Sequence, residues 1–296
     1  MKRLEEELDL GNLHLKRFVF CPDTPDRIRA AAIHFHGQGD YSERYDETME
    51  TFTSRGIACV TTDLPGHGAS EGKRGRIPGF DFIDEVARSN RERIRILCPE
   101  DRGPLGILGH SAGGLMALRE MLLRPDPYSF SWISSPLVCP EANQNAILVR
   151  LAPVIACLVP NLTVGTGVTS DQCRHTQVDA QETAAEPADF FHARVSIGWG
   201  YDMIVAAREV RARLRSDPPV LPLLLTQGSA DPICPPRYLR EALADAKFPN
   251  LRYHEFPEAL HEPFADTCKF EVFEKIAAWL DEVLGSADLA QTSPSG

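Results

Sequence analysis

Short apolar runs of strand character alternate with runs of helical periodicity along most of this chain. The strand-like runs are residues 13–20, 28–35, 57–63, 105–108, 130–136, 220–227 and 251–256. Helical spacing is found around 45–52, over 80–96, from 115 onward, over 237–247 and over 272–283. This alternation predicts an α/β fold with a mostly parallel central sheet and crossover helices.

The two ends of the pattern carry separate predictions. Turn-forming residues at 22–26 separate the first two strand-like runs, which predicts an opening antiparallel hairpin. At the other end, Gly285 is placed to cap the last helix. Residues 286–296 are predicted to be a disordered tail.

The alternation stops after the strand that ends near Pro136 and resumes near residue 217. Residues 137–216 are therefore predicted to form a helical cap on a core made of 1–136 and 217–285. Its most apolar part, 146–159, is too short to span a bilayer. It either packs inward as a lid, which we favour, or rests on a lipid surface. A second cap helix is predicted over 204–214.

Composition narrows the class of partner. The 296 residues are 43% hydrophobic and carry a net charge of -11, which argues against nucleic acid and favours a neutral, apolar substrate. The acidic first residues do not resemble a signal peptide, so we expect a cytoplasmic protein, with peripheral membrane contact through the cap. Its eight cysteines form no C-x-x-C pair and are expected to be free thiols. Nothing in the pattern predicts an oligomeric state.

One motif carries candidate chemistry. Gly109-His110-Ser111-Ala112-Gly113 lies between a strand-like and a helix-like run, which is the pattern of a nucleophile elbow. Asp231 and His261 each follow a later strand. Because the carboxyl ends of parallel strands share one edge, Ser111, Asp231 and His261 are expected to converge. Their order along the chain is the one expected of an α/β-hydrolase triad.

A second turn supplies a candidate oxyanion hole. Residues 36–40 follow a strand and contain two glycines, so the backbone N–H of Gln38 can point into the cleft, although a plain tight turn also explains them. The N–H of Ala112, beside Ser111, is the second candidate donor. No metal or cofactor is required for this chemistry.

Together these segments resemble the monoglyceride lipase and lysophospholipase group of the α/β-hydrolase superfamily, which includes serine aminopeptidase S33-type hydrolases. The matching segments are 36–40 with Tyr45, 63–72, 109–114, 224–231 and His261. The resemblance implies a lid of helices over an acyl-binding tunnel. Two positions depart from the group: Ala112 replaces a frequent methionine, and Glu258 replaces a frequent glycine.

Other residues of catalytic type have simpler interpretations. His36 is expected to brace its turn, His67 to be a structural loop histidine, and Asp63 to fix its loop. The His110 side chain is expected to point away from Ser111. Cys234, three residues after Asp231, is either a pocket thiol or a packing residue.

The prediction is a serine hydrolase that cleaves a carboxylic ester, most readily a monoacylglycerol or lysophospholipid-like lipid. Within the enzyme class, a small-molecule esterase, a thioesterase or a peptidase remains an alternative, because the cap shapes the pocket. A ligand receptor on a hydrolase scaffold is the alternative from another class.

Overall fold

A single eight-stranded sheet organises the computed structural model, which describes residues 1–100, 103–142, 144–176, 190–244 and 246–291. Its strands are β1 (Lys2–Leu10), β2 (Leu13–Cys21), β3 (Ala30–Phe35), β4 (Ile57–Thr62), β5 (Leu105–His110), β6 (Phe130–Ser134), β9 (Leu223–Gly228) and β10 (Leu251–Phe256). Their order is β1-β2-β4-β3-β5-β6-β9-β10. All neighbours pair in parallel except β1 with β2 and β2 with β4. The predicted mostly parallel sheet is confirmed.

Helices cover both faces of this sheet and fill the interval between β6 and β9. The helices are α1 (Asp46–Thr53), α2 (Phe80–Leu97), α3 (Ala112–Leu123), α4 (Ala146–Leu158), α5 (Ser170–Cys173), α6 (Ile197–Ser216), α7 (Pro236–Leu243) and α8 (Lys269–Gln291). A two-stranded ribbon of β7 (Thr163–Gly165) and β8 (Arg194–Ser196) lies in the same interval as α4, α5 and α6.

Two apolar clusters, one on each face of the sheet, form the core. One contains Ile33, Val60 and Ile107 with residues of α2, α3 and α6, and the other contains Trp132 with residues of α1 and α8. Strands β3, β4, β5, β6 and β9 are buried at every position, as expected for parallel strands covered on both faces. The carboxyl ends of β3, β5, β9 and β10 therefore reach one edge as fixed supports for the residues that follow them.

The predicted antiparallel hairpin of 13–20 with 28–35 is wrong. Strand β2 pairs with β1 and β4, whereas β3 lies between β4 and β5 and is parallel to both. The continuous apolar run of β3 explains the difference, because a fully buried strand needs covered neighbours on both sides. Turn formers between two strands show where the chain bends and leave the choice of partner open.

The edge strand β1 was not predicted, because charged residues occupy most of its positions. Its side chains are mostly exposed, and only Leu8 is buried. Its carboxylates face basic residues instead: Glu6 accepts hydrogen bonds from Arg17 at 3.2 Å and from Arg93 at 2.9 Å. Charged side chains on an edge strand also oppose pairing with other chains.

Helix α4 packs inward less than the favoured interpretation requires. Asn145 caps it by accepting from the N–H of Ile147 at 2.9 Å, and Ala156 is its one buried residue. The apolar side chains that face solvent on and just beyond it are Ile147, Leu148, Leu151, Val154, Leu158, Val159 and Leu162. Within the described part of the chain, no helix combines the length and apolarity needed to cross a bilayer.

The remaining helix boundaries differ in two places from those predicted. Helix α6 spans Ile197–Ser216 and so extends further at both ends than the predicted 204–214. Helix α8 continues through Gly285 to Gln291, so the prediction that Gly285 ends it is wrong. Of the predicted tail, the backbone of 286–291 is helical and residues 292–296 lie outside the described residues.

Candidate active site

Ser111 occupies a sharp turn between β5 and α3, with a φ of 56° and a ψ of -120°. Such a positive φ is unusual for a residue with a side chain and marks local strain at the turn. The flanking glycines are sterically required: a Cβ at Gly109 would lie 2.4 Å from the Gly113 carbonyl oxygen, and one at Gly113 would lie 2.1 Å from that of Phe35. The glycines of the motif therefore allow helix, strand and turn to approach closely enough to present Ser111.

The structure brings together Ser111, His261 and Asp231. His261 Nε2 lies 2.9 Å from Ser111 Oγ, and His261 Nδ1 lies 2.8 Å from Asp231 Oδ2. All three are buried, and Ser111 is the most exposed at 8%. Because an ionised carboxylate only accepts hydrogen bonds, Nδ1 carries the imidazole proton and Nε2 accepts from the serine hydroxyl.

Four hydrogen bonds hold Asp231 as an anion. Its Oδ1 accepts from the backbone N–H groups of Ile233 at 2.8 Å and Cys234 at 2.9 Å. Its Oδ2 accepts from His261 and, at 2.8 Å, from Nε2 of Gln227. Burial raises the pKa of this carboxyl, but the charge and hydrogen bond of His261 and the two N–H donors lower it further, so the net pKa lies below 3.8.

The surroundings of His261 make it a stronger base than an isolated imidazole. Burial lowers the pKa of His261, while the charge and hydrogen bond of Asp231 and the charges of Glu262 and Asp40 together raise it by more. The net pKa lies above the ordinary value of 6.5. Asp231 therefore fixes the tautomer of the ring and also stabilises the protonated state that forms when His261 accepts a proton.

Gln38 and Ala112, whose backbone N–H groups are the predicted oxyanion donors, lie one residue from Gly37 and Ser111 respectively. A Cβ at Gly37 would lie 3.4 Å from the Ser111 Cβ, so the loop before Gln38 contacts the serine. Ala112 is the first residue of α3, where N–H groups lack intrahelical partners. Among the described residues, neither N–H donates to a protein acceptor. Their role as oxyanion donors stays a prediction.

A buried ionic network connects the loop that contains His261 with the loop of residues 36–40 and the turn that follows it. Arg44 donates to Asp40 and Glu262, each at 2.7 Å, and Tyr45 donates to Asp40 at 2.7 Å. Burial raises the pKa of Asp40, but the charge of Arg44 and the hydrogen bonds of Tyr45 and Arg44 lower it to about 2. The network fixes Glu262, the residue after His261, relative to residues 36–40, which contain the candidate donor Gln38 and are called the oxyanion loop below.

Sequence reasoning missed Gln227 and the partners of Arg44. Gln227 is a polar residue at the end of an otherwise apolar strand, four positions before Asp231, and that position is the signal that could have found it. The pairing of Arg44 with Glu262 gives no comparable signal, because the two residues are 218 positions apart along the chain. A pairing of such separation is set by the fold.

The other histidines and Asp63 lie outside this hydrogen-bonded chain. His36 Nδ1 donates to the Gly37 carbonyl at 2.8 Å, and its Nε2 accepts from the N–H of Leu64 at 3.0 Å. Asp63 accepts from the N–H of Ser42 at 2.7 Å and so fixes its loop. His67 is buried, with its Nδ1 bonded to the Pro65 carbonyl. These are the bracing roles predicted for them.

His110 and Cys234 pack directly against the site. The ring of His110 lies 4.7 Å from that of His261, and burial lowers the pKa of His110 well below 6.5. Cys234 is buried, which raises the pKa of its thiol. Within the described residues, ligand atoms of Asp231, Cys234 and His261 lie within 4.8 Å of one another. Because the carboxylate and imidazole are satisfied by protein hydrogen bonds, we assign no metal to this group.

Glu258 lies three residues before His261, at the position where the similar group frequently has glycine. Its φ is 60°, a left-handed conformation that costs a residue with a side chain about 1–2 kcal/mol. The N–H of Glu258 donates to Ser229 Oγ at 2.9 Å, which helps to hold this conformation. The loop before His261 therefore adopts a glycine-type turn although the residue is glutamate.

A cavity of about 330 Å³ lies beside the cap and does not include the triad. Its lining comes from α4 (Pro153, Ala156), from the first two turns of α6 (Trp199, Asp202) and from the segment around Ile77. The cavity thus lies where these three parts of the chain meet.

Comparison with known proteins finds lipases and a phospholipase among the proteins similar to this chain. Human monoglyceride lipase is 29% identical to this chain over 284 residues, covering 93% of this chain and 90% of the relative. Phospholipase YtpA of Bacillus subtilis is 28% identical over 263 residues, covering 88% and 98% respectively. The crystal structure of a monoacylglycerol lipase from Paleococcus ferrophilus, 27% identical, superposes with a TM-score of 0.79 and covers 91% of this chain and 99% of its own.

The family assignment rests on a match to a family model. Residues 26–268 fit the model of the family described as Serine aminopeptidase, S33. The match spans the oxyanion loop, the elbow and the positions of Asp231 and His261. Since it covers well over half of the sequence, this chain belongs to the serine aminopeptidase S33 family of the α/β-hydrolase superfamily.

Proposed function

We propose that this protein is a serine hydrolase that cleaves carboxylic esters of lipids, with monoacylglycerols and lysophospholipid-like esters as its substrate class. The observation that carries the proposal is the unbroken chain of hydrogen bonds from Ser111 through His261 to Asp231. That chain supplies a nucleophile, a base and an orienting carboxylate, which acyl transfer requires.

Acylation begins when Ser111 Oγ attacks the ester carbonyl and His261 Nε2 takes the hydroxyl proton. The N–H groups of Gln38 and Ala112 bind the oxyanion that develops on the carbonyl oxygen, each contributing about 3–4 kcal/mol to stabilisation of the transition state. When the tetrahedral intermediate collapses, the bond from the carbonyl carbon to the alkoxy oxygen breaks. The leaving alcohol takes the proton from His261.

Deacylation repeats these steps with water as the nucleophile. Water attacks the acyl-Ser111 carbonyl and gives a proton to His261 Nε2. The bond between the acyl carbon and Ser111 Oγ then breaks, and His261 returns the proton to the serine. The products are a carboxylic acid and the regenerated enzyme, so the cycle needs no metal or cofactor.

The substrate class is supported by the relatives and by charge. The relatives are named as a monoglyceride lipase, a phospholipase and a monoacylglycerol lipase. The net charge of -11 disfavours strongly anionic substrates. A neutral, long-chain ester satisfies both observations better than a peptide or an acyl phosphate.

A substrate panel tests the proposal. We expect kcat/KM for a long-chain monoacylglycerol to exceed that for an aminoacyl anilide by at least about a hundredfold, because an acyl pocket discriminates by apolar burial. Lysophosphatidylcholine, an acyl thioester and a short-chain aryl ester complete the panel. The Ser111→Ala variant is the control for contaminating activity. Preference for the anilide would replace the proposal with a peptidase.

We further propose that helix α4 docks on the lipid surface that holds the substrate. Ile147 is 69% exposed and Leu158 is 74% exposed, and Arg150 is the one charged residue of the helix. Exposed apolar area of this extent on one helix is typical of an interaction surface. A lipid surface is the occupant we favour, because the proposed substrates reside in one.

Two glutamates on this helix test the docking proposal. We expect Leu148→Glu/Leu158→Glu to lower the partition coefficient onto phosphatidylcholine vesicles by at least about tenfold, because each buried leucine contributes about 1.5–3 kcal/mol. Sedimentation with vesicles measures the partition. The matched control is Ile96→Glu/Phe270→Glu, which changes two equally exposed residues on α2 and α8. Equal partition of both double variants and wild type would contradict the proposal, and dimerisation through α4 would assign the surface to a second copy.

A further inference from the structure

The side chain of Gln38 is bonded to the cap at both ends of its amide. Its Nε2 donates to the Arg194 carbonyl of β8 at 2.8 Å, and its Oε1 accepts from Trp199 Nε1 of α6 at 2.8 Å. Trp199 is 1% exposed, so its indole N–H has no access to bulk water. A single side chain thus connects the oxyanion loop with two elements of the cap.

A side-chain amide suits this pair of bonds because its oxygen accepts and its nitrogen donates. An indole N–H only donates and a backbone carbonyl only accepts, so the side chain between them needs an acceptor and a donor on one neutral group. These partners also fix the orientation of the amide, with the oxygen toward Trp199 and the nitrogen toward Arg194.

The backbone of the same loop is also bonded to the cap. The Gly39 carbonyl accepts from the N–H of His192 at 2.8 Å. Gly39 has a φ of 78°, and a Cβ there would lie 1.8 Å from the His192 carbonyl oxygen. Loop and cap are therefore in direct backbone contact, and the position of Gln38 depends on segment 192–199 of the cap.

We infer that the Gln38 side chain is a positioning residue through which Trp199 and Arg194 of the cap hold the oxyanion-binding N–H of Gln38 in place. The inference rests on the proposed function, since it concerns the oxyanion of an ester substrate. An oxyanion donor must lie within about 2.7–3.1 Å of the charge that develops, and a misplacement of about 1 Å can cost about a hundredfold in rate. The cap then acts on catalysis directly, in addition to enclosing the substrate.

The decisive variant is Gln38→Met, which keeps the side-chain length and the backbone N–H but removes both bonds. We expect kcat on a soluble short-chain aryl ester to fall about tenfold to a hundredfold while KM stays within about twofold, because the oxyanion bond forms only in the transition state. A soluble ester excludes any effect of membrane binding. Rates are divided by the concentration of active sites, measured as end-point incorporation of excess fluorophosphonate, so that misfolded protein does not contribute.

A double-mutant cycle with Trp199→Phe distinguishes positioning from general packing. Trp199→Phe removes the indole N–H and retains an aromatic ring. We expect it to lower kcat about threefold to tenfold in wild type but less than twofold in the Gln38→Met background, because coupled residues are not additive. Trp279→Phe is the matched control: it makes the same change in α8 and is expected to leave kcat within about twofold in both backgrounds.

The outcomes separate this inference from the function on which it rests. A wild-type protein that neither hydrolyses esters nor incorporates the fluorophosphonate refutes the proposed function. An active wild type together with Gln38→Met at unchanged kcat, or with a rise in KM alone, refutes the positioning role only. Additive effects of Gln38→Met and Trp199→Phe also refute it.

Discussion

Ser111→Ala is expected to lower kcat on a carboxylic ester by a factor on the order of 10⁶, because the triad residues act as a unit and the nucleophile has no substitute. The substitution removes only Oγ, which lies 2.9 Å from His261 Nε2. Neighbouring side chains do not replace it: Cys234 is buried and its thiol pKa is raised. Steady-state hydrolysis of a long-chain monoacylglycerol measures the effect.

A nearby serine provides the control for this substitution. Ser134 ends β6 and is buried, and its Oγ has no hydrogen-bond partner among the described residues. We expect Ser134→Ala to keep kcat within about tenfold of wild type, since removal of an unsatisfied hydroxyl costs little. Comparable rates for Ser111→Ala and wild type would contradict the assignment of the nucleophile.

Asp231→Asn is expected to lower kcat by about 10⁴. An asparagine amide can donate as well as accept a hydrogen bond, so it no longer holds the His261 ring in the tautomer with its proton on Nδ1. It should also change the pH profile. Only neutral His261 can act as the base, so wild-type kcat/KM falls as the pH drops through the raised pKa of His261. The acid limb of the wild-type profile is therefore expected above pH 6.5.

Loss of Asp231 leaves burial as the main influence on the imidazole. Burial lowers the pKa of His261, the charge and hydrogen bond of Asp231 are absent in the variant, and only the smaller effects of the Glu262 and Asp40 charges still raise the pKa. The acid limb of Asp231→Asn should therefore move to lower pH while the plateau falls. A profile of kcat/KM against pH for both proteins checks this, and an acid limb at the wild-type position in the variant would show that Asp231 does not set the pKa.

The sequence predicts the strands that carry the candidate catalytic residues better than it predicts how those strands pair. Buried strands such as β5 and β9 produce short continuous apolar runs, and residues just after them, Ser111 and Asp231, can be assigned to one edge without knowledge of side-chain packing. The pairing of β3 with β4 and β5 could not be predicted in this way. The neighbours of a strand depend on which faces of the sheet are covered by helices, and that is a property of the whole fold.

The polar partners of the site show the same limit. Gln227 and Gln38 each make bonds through side-chain amides whose partners are fixed by loop positions. The Gln38 amide, for example, meets residues 156 and 161 positions away in the sequence. Spacing in the sequence carries no signal for contacts between residues as far apart as Gln38 and its two partners. The exposed face of α4 was the second of two interpretations, because an apolar run looks the same whether it packs against protein or is exposed.

The most direct test of the proposed function is to find which residue a long-chain fluorophosphonate modifies. The protein is inactivated with a long-chain fluorophosphonate, digested, and mapped by peptide mass spectrometry. The account predicts one adduct, on Ser111, formed in proportion to the loss of esterase activity and absent from Ser111→Ala. An adduct on another residue that tracks the loss of activity, or full activity after Ser111 has been modified, would contradict it.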